Sequence, residues 1–242
     1  SAFPLQDCPP LDARPLPSLD ALVTAFRERR SARIYEDRPV SRELVDQLID
    51  IAHWVPSAGN GQPVDWLAFD DRDRIAALGA QTVAALADTS RLVRDPAYRS
   101  LLVVARGVEQ VRRGLQSADS FERLARRHEE GEDPIFHRAP ILLIAHVPAP
   151  SSFGRDDATY ADYNLMLAAE RLGLGTCQIG YFQIALDLSQ QLRQNLCLPE
   201  GRKAEITLTL GYPAYEFHRL IPRRYPKLAW NPGADHGCTS GP

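Results

Sequence analysis

The stretches of this chain that can form β-strand are few and short, and long helical sequence separates each from the next. Ile141–Val147 is apolar and β-branched directly after Pro140, which reads as a buried strand. Lys203–Leu210 alternates Ala204, Ile206, Leu208 and Leu210 with polar residues, the period of a half-buried strand. Trp66–Phe69 is short, apolar and partly aromatic, and Thr176–Phe182 is a further strand candidate. So sparse a strand content among helices excludes a bundle and a sandwich alike and points to an α+β or mixed α/β domain.

The helices carry their own start and stop signals. Ser18 stands as N-cap ahead of Leu19, Leu22, Val23 and Phe26, predicting a helix to about Arg30. Ser41 caps a second, with Glu43 in its first turn, a stripe of Leu44, Leu48, Ile51 and Ala52, and Pro56 as its stop. Arg72–Ala87 and Asp95–Glu130 are helical in pattern, the latter with a break expected near Gly114–Asp119. Asp156–Leu172 is apolar on more than one face and so is buried on several sides, with Gly173 and Gly175 to end it. Ile184–Leu196 is a further helix, and the chain after Tyr212 is irregular and rich in proline. Residues 1–17 hold Pro4, Pro9, Pro10, Pro15 and Pro17 and read as an extended lead-in, leaving 18–242 as one domain.

Composition narrows function by exclusion. In 242 residues, 28 Lys and Arg against 31 Asp and Glu give a net charge of −3, which provides no overall field toward nucleic acid or an anionic membrane. The longest apolar runs are too short to span a bilayer. Cys8, Cys177, Cys197 and Cys238 are scattered without close pairs and read as reduced thiols, in keeping with a cytoplasmic protein. His53, His128, His137, His146, His218 and His236 show no ligand spacing, so no metal site is expected. There is no nucleophile elbow and no P-loop. His137 precedes Arg138 in a loop and reads as a solvated histidine, with contact to a ligand as the alternative, and Glu129, Glu130, Glu132 and Asp133 read as a solvated acidic loop or a mobile rim.

Four segments can carry chemistry. Arg29-Arg30-Ser31-Ala32-Arg33 follows a helix and, taken alone, reads first as a solvated helix end where arginines suit the macrodipole; the functional alternative is that Arg29 and Ser31 hold a phosphate while Arg33 faces another polar edge. Pro56-Ser57-Ala58-Gly59-Asn60-Gly61-Gln62-Pro63 has turn composition and also offers neutral donors and acceptors, in Ser57, Asn60 and Gln62, beside glycines that let backbone approach a flat ligand. Gly173–Phe182 carries glycines that turn the chain, and Arg219-Leu220-Ile221-Pro222-Arg223-Arg224 reads alone as a charged tail.

Taken in order, these segments resemble the nitroreductase family along nearly the whole chain. The likeness covers Arg29-Arg30-Ser31-x-Arg33, Arg38-Pro39-Val40, Pro56-Ser57-x-x-Asn60-x-Gln62-Pro63, Asn164-Leu165-Met166-Leu167-Ala168-Ala169, Gly173-Leu174-Gly175-Thr176 and Leu210-Gly211-Tyr212-Pro213. It implies an α+β fold with a central mixed or antiparallel sheet flanked by helices, in an intertwined homodimer with two FMN molecules at its interface. Carried over by motif, Arg29, Arg30, Ser31 and Arg33 would lie along the phosphate, ribityl chain and pyrimidine edge, with Arg33 nearest N1 and O2, where a cation favours the anionic reduced flavin. Pro56, Ser57, Ala58, Asn60 and Gln62 would reach the same FMN from the partner. Gln178, Ile179 and Gly180 match the stretch whose backbone N–H faces flavin N5, with isoleucine where family members often have glutamate. Arg223 and Arg224 would complete the phosphate site.

The lead-in Cys8-Pro9-Pro10-Leu11-Asp12 and the ending Ile221-Pro222-Arg223, Pro226-Lys227-Leu228 resemble members with an N-terminal ferredoxin domain, which this sequence lacks. The implied function is FMN-dependent oxidoreduction in two half-reactions, from NAD(P)H or a ferredoxin-type donor to a nitroaromatic, quinone or similar small acceptor. The alternatives are an electron-relay module without its own turnover and a dehalogenase-like member.

Overall fold

The computed structural model describes residues 16–106 and 108–230. Expectations for residues 1–15, Cys8 among them, and for His236 and Cys238 lie outside the described residues. Helix α1, Leu19–Glu28, is capped by the Ser18 hydroxyl, which accepts from the Ala21 N–H; α2, Arg42–Ala52, is capped likewise by Ser41 from Leu44. A single 3-10 turn, Ala58–Asn60, then leads to strand β1, Asp65–Phe69. Three helices follow, α3 (Arg72–Arg94), α4 (Pro96–Arg106) and α5 (Val108–Glu129), and then strand β2, Ile141–Pro148. The chain continues through α6 (Gly154–Arg171), β3 (Gly175–Gln178), α7 (Gly180–Leu188), α8 (Gln190–Asn195) and β4 (Arg202–Gly211).

The sheet order is β1-β2-β4-β3 with every neighbouring pair antiparallel. Among the described residues, a parallel element enters only as an isolated bridge from Ser31 to Thr176, in β3. Successive residues of β2 face opposite sides of the sheet, as the pleat requires. Leu142 and Ile144 join a core with α3, α5, α7 and α8, while Ile141 and Leu143 join another with α2 and α6. A sheet covered on both faces by helices is the α+β arrangement expected from the sequence. Among the described residues, no helix is long and apolar enough to cross a membrane.

Four expectations need correction. The alternation in β4 suggested one solvated face, yet every residue from Ala204 to Gly211 is buried. The strand is central, and its polar side is satisfied internally: Thr207 Oγ1 donates to Gln183 Oε1 at 3.3 Å and Thr209 Oγ1 to the Cys177 carbonyl at 3.2 Å. The break expected at Gly114–Asp119 does not occur, because all of these residues lie within α5. Gly114 lies inside α5 because a Cβ there would come within 3.2 Å of Val93 Cγ1, so glycine serves close packing against α3. The Thr176–Phe182 strand stops at Gln178, with Gly180 already opening α7. The Ile184–Leu196 helix is two helices, parted at Ser189, whose hydroxyl caps α8.

Gly173 ends α6 as expected. It has φ +73°, its N–H donates to the Glu170 carbonyl at 3.2 Å, and the Leu174 N–H reaches the Ala169 carbonyl at 2.8 Å. This paired bonding is a Schellman stop, which aims the chain from α6 into β3.

Candidate functional site

The segment after α1 is pinned along the edge of β3. Arg30 N–H donates to Glu170 Oε1 at 2.8 Å, and Ala32 N–H to the Thr176 carbonyl at 2.9 Å. Arg33 N–H donates to the Tyr215 hydroxyl at 3.3 Å, Glu36 N–H to the Tyr212 carbonyl at 2.8 Å, and Ala214 N–H to the Ile34 carbonyl at 3.0 Å. Residues 29–36 are thus held between β3 and the chain that follows β4. The Tyr35 hydroxyl locks this arrangement, donating to the Ala32 carbonyl at 2.8 Å and sharing a hydrogen bond with Thr209 Oγ1 at 2.9 Å. Burial pushes that hydroxyl well above the ordinary tyrosine range, so it stays protonated. Tyr35→Phe removes both bonds and is expected to lower stability by about 1–2 kcal/mol. The check is a denaturant midpoint that falls while the slope is unchanged.

An extended segment sends alternate side chains to opposite sides, and this divides the arginines. Arg29, Ser31 and Arg33 all act on the Cys177 thiol: burial pushes it up, and these three oppose that shift. Arg30 is elsewhere. Its guanidinium packs 4.3 Å over the Phe217 ring and donates to the Arg219 carbonyl at 3.2 Å, so it anchors the tail. Arg223 and Arg224 are exposed on the irregular tail and line no part of the Cys177 hollow.

That hollow, about 620 Å³, lies where β3 passes into α7. Cys177, Gln178, Ile179, Gly180 and Tyr181 line one part of it, Arg33 another, and α5 and the Pro134–His137 turn the rest. Ile179 turns its side chain into the core, and its N–H is committed to the Thr207 carbonyl at 2.8 Å. Of the two backbone donors expected here, Gly180 is therefore the one left. It is the first residue of α7, where N–H groups have no intrahelical partner, and a Cβ on it would meet nothing within 4 Å. A planar ligand can approach that backbone.

Pro56–Pro63 is built on a different face. Gly59, Asn60 and Gln62 have φ of +59°, +53° and +47°. Ala58 N–H donates to Asp157 Oδ1 at 3.2 Å, Gln62 N–H to Ser57 Oγ at 3.0 Å, Gln62 Nε2 to Asn60 Oδ1 at 3.3 Å, and Arg202 Nη2 reaches the Pro63 carbonyl at 3.0 Å. Ser57 and Gln62 line a small separate hollow with Trp66 and Asp157, so within one chain this loop does not meet the Arg33 hollow. Pro56, Ala58 and Asn60 line neither.

Several residues at the site had no motif to announce them. Asp133, read as part of a solvated acidic run, is the staple of its turn: Oδ1 accepts the N–H groups of Ile135 at 3.1 Å and Phe136 at 2.9 Å, and Oδ2 that of Arg138 at 2.9 Å. The Asp133-Pro134 pair is a turn initiator and was the available signal. The turn holds His137 and Arg138 at φ +59° and +53° and sets His137, mostly buried rather than solvated, on the hollow. Burial lowers the His137 pKa first, and Arg33 and Arg127 lower it further against Asp133. Asp162 on α6 is 1% exposed; Gln178 Nε2 donates to its Oδ2 at 3.4 Å, and its Oδ1 has no hydrogen-bond partner. Burial pushes its pKa up to about 7 despite Arg29. The Thr176 hydroxyl is likewise buried without a partner.

Comparison with known proteins matches the sequence and fold of this chain to a described group. Residues 26–212 match the model of the nitroreductase family. A 4-nitrobenzoate reductase from Nocardioides sp. (strain LMS-CY) is 30% identical over 217 residues, 83% of this chain and 85% of the relative. An FMN reductase (NAD(P)H) from Bacillus subtilis (strain 168) is 27% identical over 196 residues, 81% and 67% of the two chains. Among solved structures, a nitroreductase with bound FMN from Bacteroides fragilis NCTC 9343 aligns with a TM-score of 0.61 at 20% identity, covering 85% of this chain and 94% of that one. At that identity the likeness establishes the fold.

Proposed function

Because this chain belongs to the nitroreductase family, whose model spans residues 26–212 of it, we propose that it is an FMN-dependent oxidoreductase working as a homodimer. The observation that carries the reading is the pinning of the Arg29–Arg33 segment to β3 through Ser31 and Ala32, with the open Gly180 backbone just beyond that strand. These residues fit the cofactor: a guanidinium and a hydroxyl for a phosphate, a second cation for the pyrimidine edge, and a backbone N–H with clear space before it. When bound, FMN supplies the redox centre that accepts hydride from a donor and passes it to an acceptor, so no side chain has to act as acid or base. Arg29 and Ser31 hold and orient the phosphate, Arg33 sets the local potential, and Gly180 N–H offers a hydrogen bond from a helix start.

Two features support a second copy as the partner. Helix α1 buries none of its residues, and Leu19, Leu22 and Phe26 are exposed on it, as are Leu220, Ile221, Leu228 and Trp230 on the tail. Exposed apolar surface on this scale marks an interaction face. In this reading the Pro56–Pro63 loop, which does not line the Arg33 hollow of its own chain, serves the site of the partner with Ser57, Asn60 and Gln62. Cys177 and Cys197 are free thiols, which agrees with a cytoplasmic setting.

The electron donor is NAD(P)H or a ferredoxin-type protein, and the acceptor a small nitroaromatic or quinone. The test begins with the flavin released by heat from the purified protein, which chromatography should identify as FMN. Release of another flavin, or no binding on reconstitution, contradicts the reading. Anaerobic reduction by NADH, NADPH and reduced ferredoxin in parallel then assigns the donor, and sedimentation of the FMN-loaded protein as a monomer would remove the dimer.

A further inference from the structure

The hollow beside Gly180 has a one-sided charge. Arg33, Arg123 and Arg127 line it, and among the described residues no Asp or Glu does. The three guanidinium groups differ in their commitments. Arg127 is answered by Glu132, with Nε and Nη2 both 2.6 Å from Oε2. Arg33 belongs to the cofactor in the reading above. Arg123 has a hydrogen bond to the Ser120 hydroxyl at 2.7 Å and, among the described residues, no acidic partner. It is an exposed cation on a helix whose neighbouring turn packs into the site, where the Phe121 ring meets Tyr181 edge-on at 6.2 Å between centroids.

The rest of the lining is apolar. Leu124, Ile135, Tyr181 and Ile184 contribute side chains to the same hollow. An apolar slot with one uncompensated guanidinium at its edge is complementary to a flat ring bearing an anion.

We infer that the acceptor is a small aromatic ring carrying a carboxylate, and that Arg123 is the specificity-determining residue that pairs with it. This rests on the FMN reading. The carboxylate is a spectator: a nitro group on such a ring takes two electrons and two protons, from one hydride of the donor and one proton of solvent, to give a nitroso group and water. Arg123 holds the ring without entering that step, so its effect belongs in KM more than in kcat.

The test compares kcat/KM for 4-nitrobenzoate and 4-nitrobenzamide in the FMN-loaded wild type, Arg123→Gln and Arg123→Lys, at low and high salt. Calorimetric binding of benzoate and benzamide, which are not reduced, is measured on the same proteins. The wild type should favour the carboxylate by about tenfold or more in both assays, since a charged pair at an apolar slot outweighs an ordinary surface pair. Arg123→Gln should bring the ratio near one, Arg123→Lys should retain part of it, and salt should shrink it because Arg123 is exposed. Equal constants for the two compounds in the wild type, or a preference that survives in Arg123→Gln, would overturn the inference. Failure to load FMN would mean that the FMN reading has failed; if the FMN-loaded protein reduces neither nitro compound, the nitro acceptor is overturned, and the benzoate-to-benzamide affinity ratio still decides the role of Arg123.

Discussion

Gly175→Ala is expected to weaken FMN binding at least tenfold and to lower stability by about 1–3 kcal/mol, the usual range for overpacking a filled core. A Cβ at position 175 would lie 2.6 Å from Ala32 Cβ and 3.3 Å from Pro213 Cβ. Ala32 is 2% exposed and cannot swing aside, because its own N–H is bonded to the Thr176 carbonyl at 2.9 Å. The added methyl therefore lifts the whole Arg29–Arg33 segment from the edge of β3. Displacing positioning groups by about an ångström can cost as much as 10²-fold. Gly173→Ala is the control: nothing lies within 4 Å of a Cβ there, and only its φ of +73° is strained. It should lose about 1–2 kcal/mol and keep its FMN affinity. Fluorescence titration of FMN and thermal melts on both variants separate the two effects. Wild-type affinity in Gly175→Ala would mean that the segment is not held by β3.

The second large effect concerns Asp162 and pH. Its folded pKa, about 7, stands above the ordinary 3.8, so between those values the native protein keeps a proton that the unfolded chain has released. Stability then falls as pH rises from about 4 to 7 and is level above that. Three pKa units correspond to about 4 kcal/mol as an upper bound. Asp162→Asn removes this slope. At pH 8 the variant should be more stable by about 2 kcal/mol, after allowing about 1–3 kcal/mol for a buried amide with unmet hydrogen bonds. At pH 5 the advantage should vanish or reverse. Denaturant midpoints from pH 4.5 to 8.5, at fixed flavin loading, give the comparison, and parallel profiles for the two proteins would contradict it.

Much of the fold was legible because its signals are local. Ser18 and Ser41 announced their helices through N-cap chemistry that involves residues three positions on. Gly173 announced a helix stop through backbone freedom, and Ile141–Val147 a buried strand through composition alone. The misreadings share a cause. Gly114 looked like a breaker because sequence cannot show Val93 on the facing helix. Thr207 and Thr209 looked solvated because their partners, Gln183 and Cys177, are 24 and 32 residues away. Thr176–Phe182 looked like one strand because short apolar runs do not discriminate helix from strand by period.

By itself, then, the sequence determined most of the order of helices and strands and the α+β class. Each of these follows from side chains within a few positions of one another. Only the tertiary structure decided that Arg33 lines the hollow and Arg29 acts on Cys177 while Arg30 turns to Phe217, that Gly180 keeps its N–H while Ile179 gives its own to Thr207, and that Arg123 and His137 join the lining. Those outcomes depend on the side of an extended segment that packs inward and on contacts across more than a hundred residues, for which no local period carries a signal.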